Sequence, residues 1–304
     1  MNSLSTANVE FCLDVFKELS SNHVADNVFF SPLSLLYALS MLFLGARGNS
    51  AAQMGKVLHF SYGEISSNPE LEKSSKCGLT GGIHSEFPVL LSKISQSNSN
   101  YTLSIANKLY GTKNIKFHPG KSVPVQMMQQ SGTFKVALIK EPHMQVLELP
   151  YASGNLSMFV LLPKDTEQIE KIEKQLNLKT FKQWTSSLMI EKEVDVYLPR
   201  FKLGIKYELN SLLKTLGIRD IFNPLKADLS GLSPSRDLYL SKVIHKSFID
   251  VNEEGTEASA ATGDVVVVKR LPIRVRFLAD HPFLFFLKHI KTNTIIFCGR
   301  FSSP

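Results

Sequence analysis

An α+β fold with mixed, mostly antiparallel sheets is what this sequence predicts, on three observations. Helix-period apolar patterns fill the first sixty residues, β-rich texture takes over from about residue 121, and no internal repeat links the two halves. At 304 residues, 43% hydrophobic and 20% charged, the chain has ample material for one large core.

The elements follow in order. Val9, Leu13, Phe16 and Leu19 recur at helical spacing, which predicts an amphipathic helix over about 5–20. Ser31-Pro32 reads as an N-cap with proline at the first helical position, opening an apolar helix that ends near Gly45. Asn49-Ser50 caps a shorter helix toward Leu58. Residues 61–82, rich in Ser, Gly, Lys and Glu with few apolar anchors, read as a mobile loop, and another helix-like segment follows. Leu103–Gly111 alternates as a strand.

Downstream, Val146–Leu149 and Ser157–Leu162 form a hairpin across Ser-Gly-Asn. Ile169, Ile172 and Leu176 give a short helix, Glu193–Leu198 an alternating strand, and Leu209–Leu216 a helix that stops at Gly217. A long strand over Tyr239–Val251 and three more at Ile273–Phe277, Pro282–Leu287 and Thr294–Cys298 complete the chain.

Several function classes start from low ground. The net charge of +7 is spread without long basic runs, which argues against nucleic acid as a partner. The longest apolar run, Leu33–Ala46, is shorter than the roughly 20 residues a membrane span needs. Cys12, Cys77 and Cys298 are too few and too scattered for a disulfide framework or a zinc site and read as reduced thiols, and the N-terminus lacks a cleaved-signal pattern. The expectation is therefore a cytoplasmic protein, with unconventional release to the extracellular space left open. The triplets at Asn100 and Asn155 match the glycosylation pattern but mean nothing without a secretory route. No nucleophile elbow, zinc-helix motif, Cys-x-x-Cys or phosphate loop occurs, so no catalytic residue, metal or cofactor is expected.

Residues 250–272 stand apart. Gly255 lets the backbone pivot, Thr256–Thr262 is a run of small side chains broken only by Glu257, and Val265–Val268 is β-branched and extended. Lys269 and Arg270 form a basic tip, and Pro272 closes the segment. A hinge, a slim strand-capable arm and a basic tip suit a bait better than a core.

Four ordered blocks carry a family resemblance. Phe277–Leu287 matches the C-terminal signature of serpins along its length, and Glu253–Thr262 matches the proximal hinge of their inhibitory members. Asn27–Ser34 and Leu103–Gly111 match two further blocks. The chain resembles a serpin of the ovalbumin-like intracellular branch, which implies a single serpin domain over 1–304: N-terminal helices, mixed β-sheets and an exposed reactive-centre loop at about 253–272.

One departure stands against this agreement. After Gly111 the family continues through two helices and strands of the central sheet, whereas here Phe117–Lys121 runs directly into Ser122–Met128, which resembles sequence far downstream. An internal block is missing, with the join near 118–122, so part of the central sheet and two helices are expected to be deleted. The sequence leaves open whether a splice form produced the gap.

The resemblance implies a suicide substrate: a serine protease acylates the loop, and the freed arm inserts as a new strand in the central sheet. Insertion would bury alternate positions, which suits Thr256, Ala258, Ala260 and Thr262, while Glu257 and Ser259 face outward. The arm from Gly255 to Lys269 would reach on the order of 45–50 Å. The implied hinge comprises Glu253, Glu254, Gly255, Thr256, Glu257, Ala258, Ser259, Ala260, Ala261 and Thr262. Family spacing places the reactive bond at Lys269, with Arg270 one register away, and a basic residue there implies a trypsin-like partner. His245, Ser31 and Ser34 match the shutter that holds the sheet closed, although the usual asparagine partner of His245 falls in the missing block. The expected state is a monomer without a membrane or nucleic-acid partner. The rival is a non-inhibitory binding protein that keeps the scaffold and is cleaved as a plain substrate.

Overall fold

A computed structural model describes residues 4–60, 83–95, 125–151, 154–233, 238–252 and 274–304. The strand expected over Leu103–Gly111, the join near 118–122, the hinge Glu253–Thr262 and the basic tip Lys269-Arg270 lie outside the described residues.

Strand β9 (Phe283–His289) shows how the chain is layered. All seven of its side chains are buried, because β10 (Thr294–Phe301) and β4 (Leu156–Pro163) flank it and both of its faces are covered. On one face Phe286 meets Phe16 of α1 (Leu4–Asn22) at 6.4 Å and Phe181 of α6 (Leu178–Lys182) at 4.9 Å. On the other, Phe283 and Phe285 lie 6.0 and 5.4 Å from Phe201 of β6 (Phe201–Glu208). Alternation along one strand therefore yields three layers: helices, a large sheet and a small sheet.

The large sheet has eight strands in the order β1-β10-β9-β4-β3-β2-β5-β8. Its remaining members are β1 (Val28–Phe30), β2 (Met127–Ile139), β3 (Met144–Pro150), β5 (Ile190–Pro199) and β8 (Val275–Leu278). Every pair is antiparallel except β5–β8, the mixed sheet that the sequence predicts. β3 and β4 form the expected hairpin. The small sheet pairs β6 with β7 (Ile244–Val251), antiparallel over eight residues.

Two element boundaries are corrected, one in a helix and one in a strand. α2 (Pro32–Gly45) is capped by Ser31, whose side chain accepts the Ser34 backbone N–H as expected. α3 starts earlier than its reading, at Gly48, and runs to Val57. Asn49 and Ser50 lie inside it and serve tertiary contacts instead of a cap, Asn49 donating to Asp220 at 2.5 Å and Ser50 accepting Asp228 N–H at 3.1 Å. α4 (Ile83–Ser95) and α5 (Ile169–Gln175) fall where helix was read. α7 (Asn210–Leu216) ends at Gly217, whose φ of 125° is a geometry that favours glycine.

The second correction concerns β7, read as beginning at Tyr239. Residues 239–243 instead bond to the neighbouring helical turns: Leu240 N–H goes to Ile221 O, Val243 N–H to the Asn210 side chain, and Val243 O receives Leu209 N–H. Their backbone groups are satisfied elsewhere, so the ladder starts only at Ile244.

Candidate functional site

The inner face of the small sheet meets β1 and the start of α2 through a short chain of buried hydrogen bonds. A bulge in β10 begins it. Register shifts between Ile295 and Phe297, which sets the Ile296 carbonyl free of the ladder. Ser31 Oγ donates to that carbonyl at 2.8 Å while accepting Ser34 N–H at 3.2 Å, so one hydroxyl both caps α2 and plugs the bulge. The Ser31 backbone N–H donates to His245 Nε2 at 3.0 Å.

His245 lies opposite Tyr207 in the β6–β7 register, and both side chains project inward. Tyr207 Oη accepts Phe29 N–H at 3.2 Å, and Ser247 Oγ donates to Phe29 O at 2.9 Å. Three side chains of the small sheet thus hold Phe29 and Ser31, two residues apart where β1 ends and α2 begins. His245 is 3% exposed, and burial lowers its pKa from 6.5 to about 4. It is neutral, with its proton on Nδ1, because Nε2 must present a lone pair to Ser31. Burial also pushes the Tyr207 hydroxyl up to about 12, against the Phe29 hydrogen bond.

All three expected shutter residues therefore come together. Tyr207 and Ser247 belong to the same cluster and escaped the sequence reading. Their signal was present: β6 alternates Phe201, Leu203, Ile205 and Tyr207, and two polar residues, His245 and Ser247, occupy consecutive inward positions of β7. A polar pair on a buried face needs partners.

The chain leaves β7 at Val251 and re-enters the fold at Val275 of β8, so hinge and tip connect the small sheet to the edge of the large one. Among the described residues the small sheet has two strands. Apolar side chains are open to solvent on two elements: Phe248 on the outer face of β7 is 61% exposed, and Met41 and Leu44 of α2 are 48% and 38% exposed. α2 is apolar nearly all round, the composition of a helix enclosed on every side. Cys12 and Cys298 are buried free thiols on α1 and β10, and burial, followed by their mutual hydrogen bond, raises the Cys298 pKa. Among the described residues no helix is long and apolar enough to cross a membrane, and no three His, Cys, Asp or Glu side chains gather as a metal site would require.

Comparison with known proteins agrees with this architecture. The family model described as serpin (serine protease inhibitor) matches residues 6–120 and 112–304, two segments that overlap where the join near 118–122 is expected. Human (Homo sapiens) Serpin B11 is 50% identical, and human leukocyte elastase inhibitor 36% identical; each alignment covers all of both chains. Uncleaved ovalbumin superposes with a TM-score of 0.81 at 30% identity, covering 99% of this chain and all of that one. The Serpin B11 alignment runs over 392 positions and this chain supplies 304 residues, so more than a fifth of the aligned length faces a gap. The chain belongs to the serpin family, in its ovalbumin-like branch, and an internal block of the family is missing from it.

Proposed function

We propose that this chain presents a trypsin-like serine protease with a bait at Lys269, Arg270 being the neighbouring register, and that it is cleaved as a plain substrate instead of trapping the enzyme. Family membership supports the bait, and leukocyte elastase inhibitor carries a protease target in its name. The basic tip supports the specificity, since a carboxylate at the base of a trypsin-like pocket selects Lys or Arg. The small residues of Glu253–Thr262 keep an arm able to enter a sheet. In this reading the domain spans 1–304 and works in the cytoplasm, where Cys12 and Cys298 stay reduced.

The observation that carries the loss of trapping is that, among the described residues, the small sheet that the arm follows has two strands. An arm entering beside β7 needs strands on both of its edges. Among the described residues β7 has no second strand to supply the other edge, and each buried amide left unpaired costs roughly 1–3 kcal/mol. Acyl-enzyme hydrolysis then outruns insertion.

Incubation with trypsin, followed by denaturing electrophoresis and mass spectrometry of the fragments, tests both parts. The expected result is cleavage after Lys269 or Arg270 with no covalent complex. A denaturant-stable complex at near-equal stoichiometry would refute the substrate reading, and cleavage elsewhere would refute the bait.

A further inference from the structure

β7 offers more than an attachment point for the arm. Among the described residues it bonds to β6 along one edge, and its other edge has no strand partner. Eight residues of open edge form a template for another strand. We propose that β7 pairs edge to edge, antiparallel about a two-fold axis, with β7 of a second copy of this chain, joining two small sheets into one of four strands.

The face alternation limits the register. Inward residues His245, Ser247, Ile249 and Val251 must stay on the packed side, so an antiparallel partner has to place odd positions opposite odd and even opposite even. The two-fold axis then passes through a residue and not between two. Centred on Phe248, it sets the two Phe248 side chains opposite each other, Lys246 opposite Asp250 of the partner copy and Asp250 opposite Lys246. Centred on Ser247, it sets Lys246 against Phe248 and Asp250 against Ile244, with neither charge matched. Charge complementarity selects the Phe248 register.

The outer face of the protomer leaves Lys246 and Phe248 to be matched. Lys246 stands opposite Lys206 in the β6–β7 register, a like-charge pair. Among the described residues no carboxylate comes within ion-pair distance of Lys246. Asp250 already binds Lys202 at 2.8 Å, and its carboxylate has lone pairs to accept a second base from the partner. Phe248 faces Gly204, which carries no side chain to cover it, and this leaves the ring 61% exposed at the centre of the proposed contact. The two-fold operation gives Lys246 a carboxylate and Phe248 a second ring. The proposed pairing puts a symmetric dimer in place of the monomer expected from the sequence.

Sedimentation equilibrium of the full chain with two complementary variants tests the pairing. The wild-type chain is expected to dimerise reversibly in the micromolar range. Lys246→Asp sets two acidic pairs across the axis and is expected to weaken association about tenfold or more. Within its own protomer the same change relieves the clash with Lys206, so lost dimerisation is not a folding failure. Asp250→Lys fails alone by the mirror argument, and an equimolar mixture of the two variants restores association because both rows then pair oppositely. Phe248→Ser removes only an exposed ring and also weakens the dimer. A wild-type chain that remains monomeric at about 50 μM, as it would if its own arm filled the β7 edge, overturns the proposal. So do Lys246→Asp and Phe248→Ser chains that dimerise like the wild type.

Discussion

Ser31 donates its backbone N–H to His245 Nε2 at 3.0 Å, across 214 residues of sequence. The bond ties the cap of α2 to the inward face of β7 and fixes the imidazole as the neutral, Nδ1-protonated form. A proton on Nε2 would face a donor, so acid should open this junction. His245 has a folded pKa of about 4, below its unfolded 6.5, and the native chain holds fewer protons than the unfolded one between those values. Stability from this group is complete above about pH 6.5 and is lost as pH falls toward 4, by roughly 3 kcal/mol in all. Urea melts across that range measure it. In His245→Ala the component is expected to vanish, while stability at pH 7 falls by about 2–4 kcal/mol from the orphaned Ser31 N–H and the cavity.

His59 responds in the opposite sense. It follows α3 with φ of 57°, and its Nε2 lies 2.7 Å from Asp14 Oδ2, with Glu10 at 3.7 Å on the same face of α1. The hydrogen bond to Asp14 raises its pKa; burial opposes this, and the charges of Asp14 and Glu10 reinforce it. Its stabilisation is therefore complete below pH 6.5 and is lost as pH rises through the raised folded value. The site is part-exposed, so Asp14→Asn should cost at most about 1 kcal/mol at pH 5.5 and close to nothing at pH 9. Equal losses at both pH values would show that the ion pair is not the cause.

Arg300 is the costliest single charge to remove. It is 2% exposed, and its guanidinium donates to Glu173 at 2.8 Å, to the Asp26 carbonyl at 3.0 Å and to the His23 carbonyl. Burial raises the Glu173 pKa, and Arg300 pulls it back. Arg300→Met should destabilise by about 3–5 kcal/mol, because it leaves a buried carboxylate without its counter-charge. Pairing Arg300→Met with Glu173→Leu should recover a large part of that loss in a double-mutant cycle. Arg300→Lys cannot reproduce four hydrogen bonds to three acceptors from one planar fork and should behave closer to Met than to Arg.

Much of this was legible in the sequence, for identifiable reasons. β9 and β10 are buried on both faces, and Pro282–Leu287 and Thr294–Cys298 read as strands from their apolar runs. The Ser31 cap is local chemistry, with proline one residue later. His245, Ser31 and Ser34 came from resemblance to a family, and the structure brings them together. What escaped was tertiary. Asn49 and Ser50 look like caps but are drawn to Asp220 and Asp228, far along the chain. β6 has no counterpart in the sequence reading, although Phe201, Leu203, Ile205 and Tyr207 alternate with Lys202, Gly204 and Lys206. The 239–243 stretch looks strand-like but gives its hydrogen bonds to α7 and the turn after it.

The central claim is that the arm has no complete site to enter, and thermal stability before and after cleavage of the arm measures that most directly. Inserting about ten residues with both edges paired would add on the order of 10 kcal/mol at about 1 kcal/mol per hydrogen bond. For a chain of this size that corresponds to a Tm rise of about 20 °C. With β6 and β7 the two strands of the small sheet among the described residues, the cleaved chain is expected to melt within about 4 °C of the intact one. A rise of about 20 °C on cleavage would contradict the account.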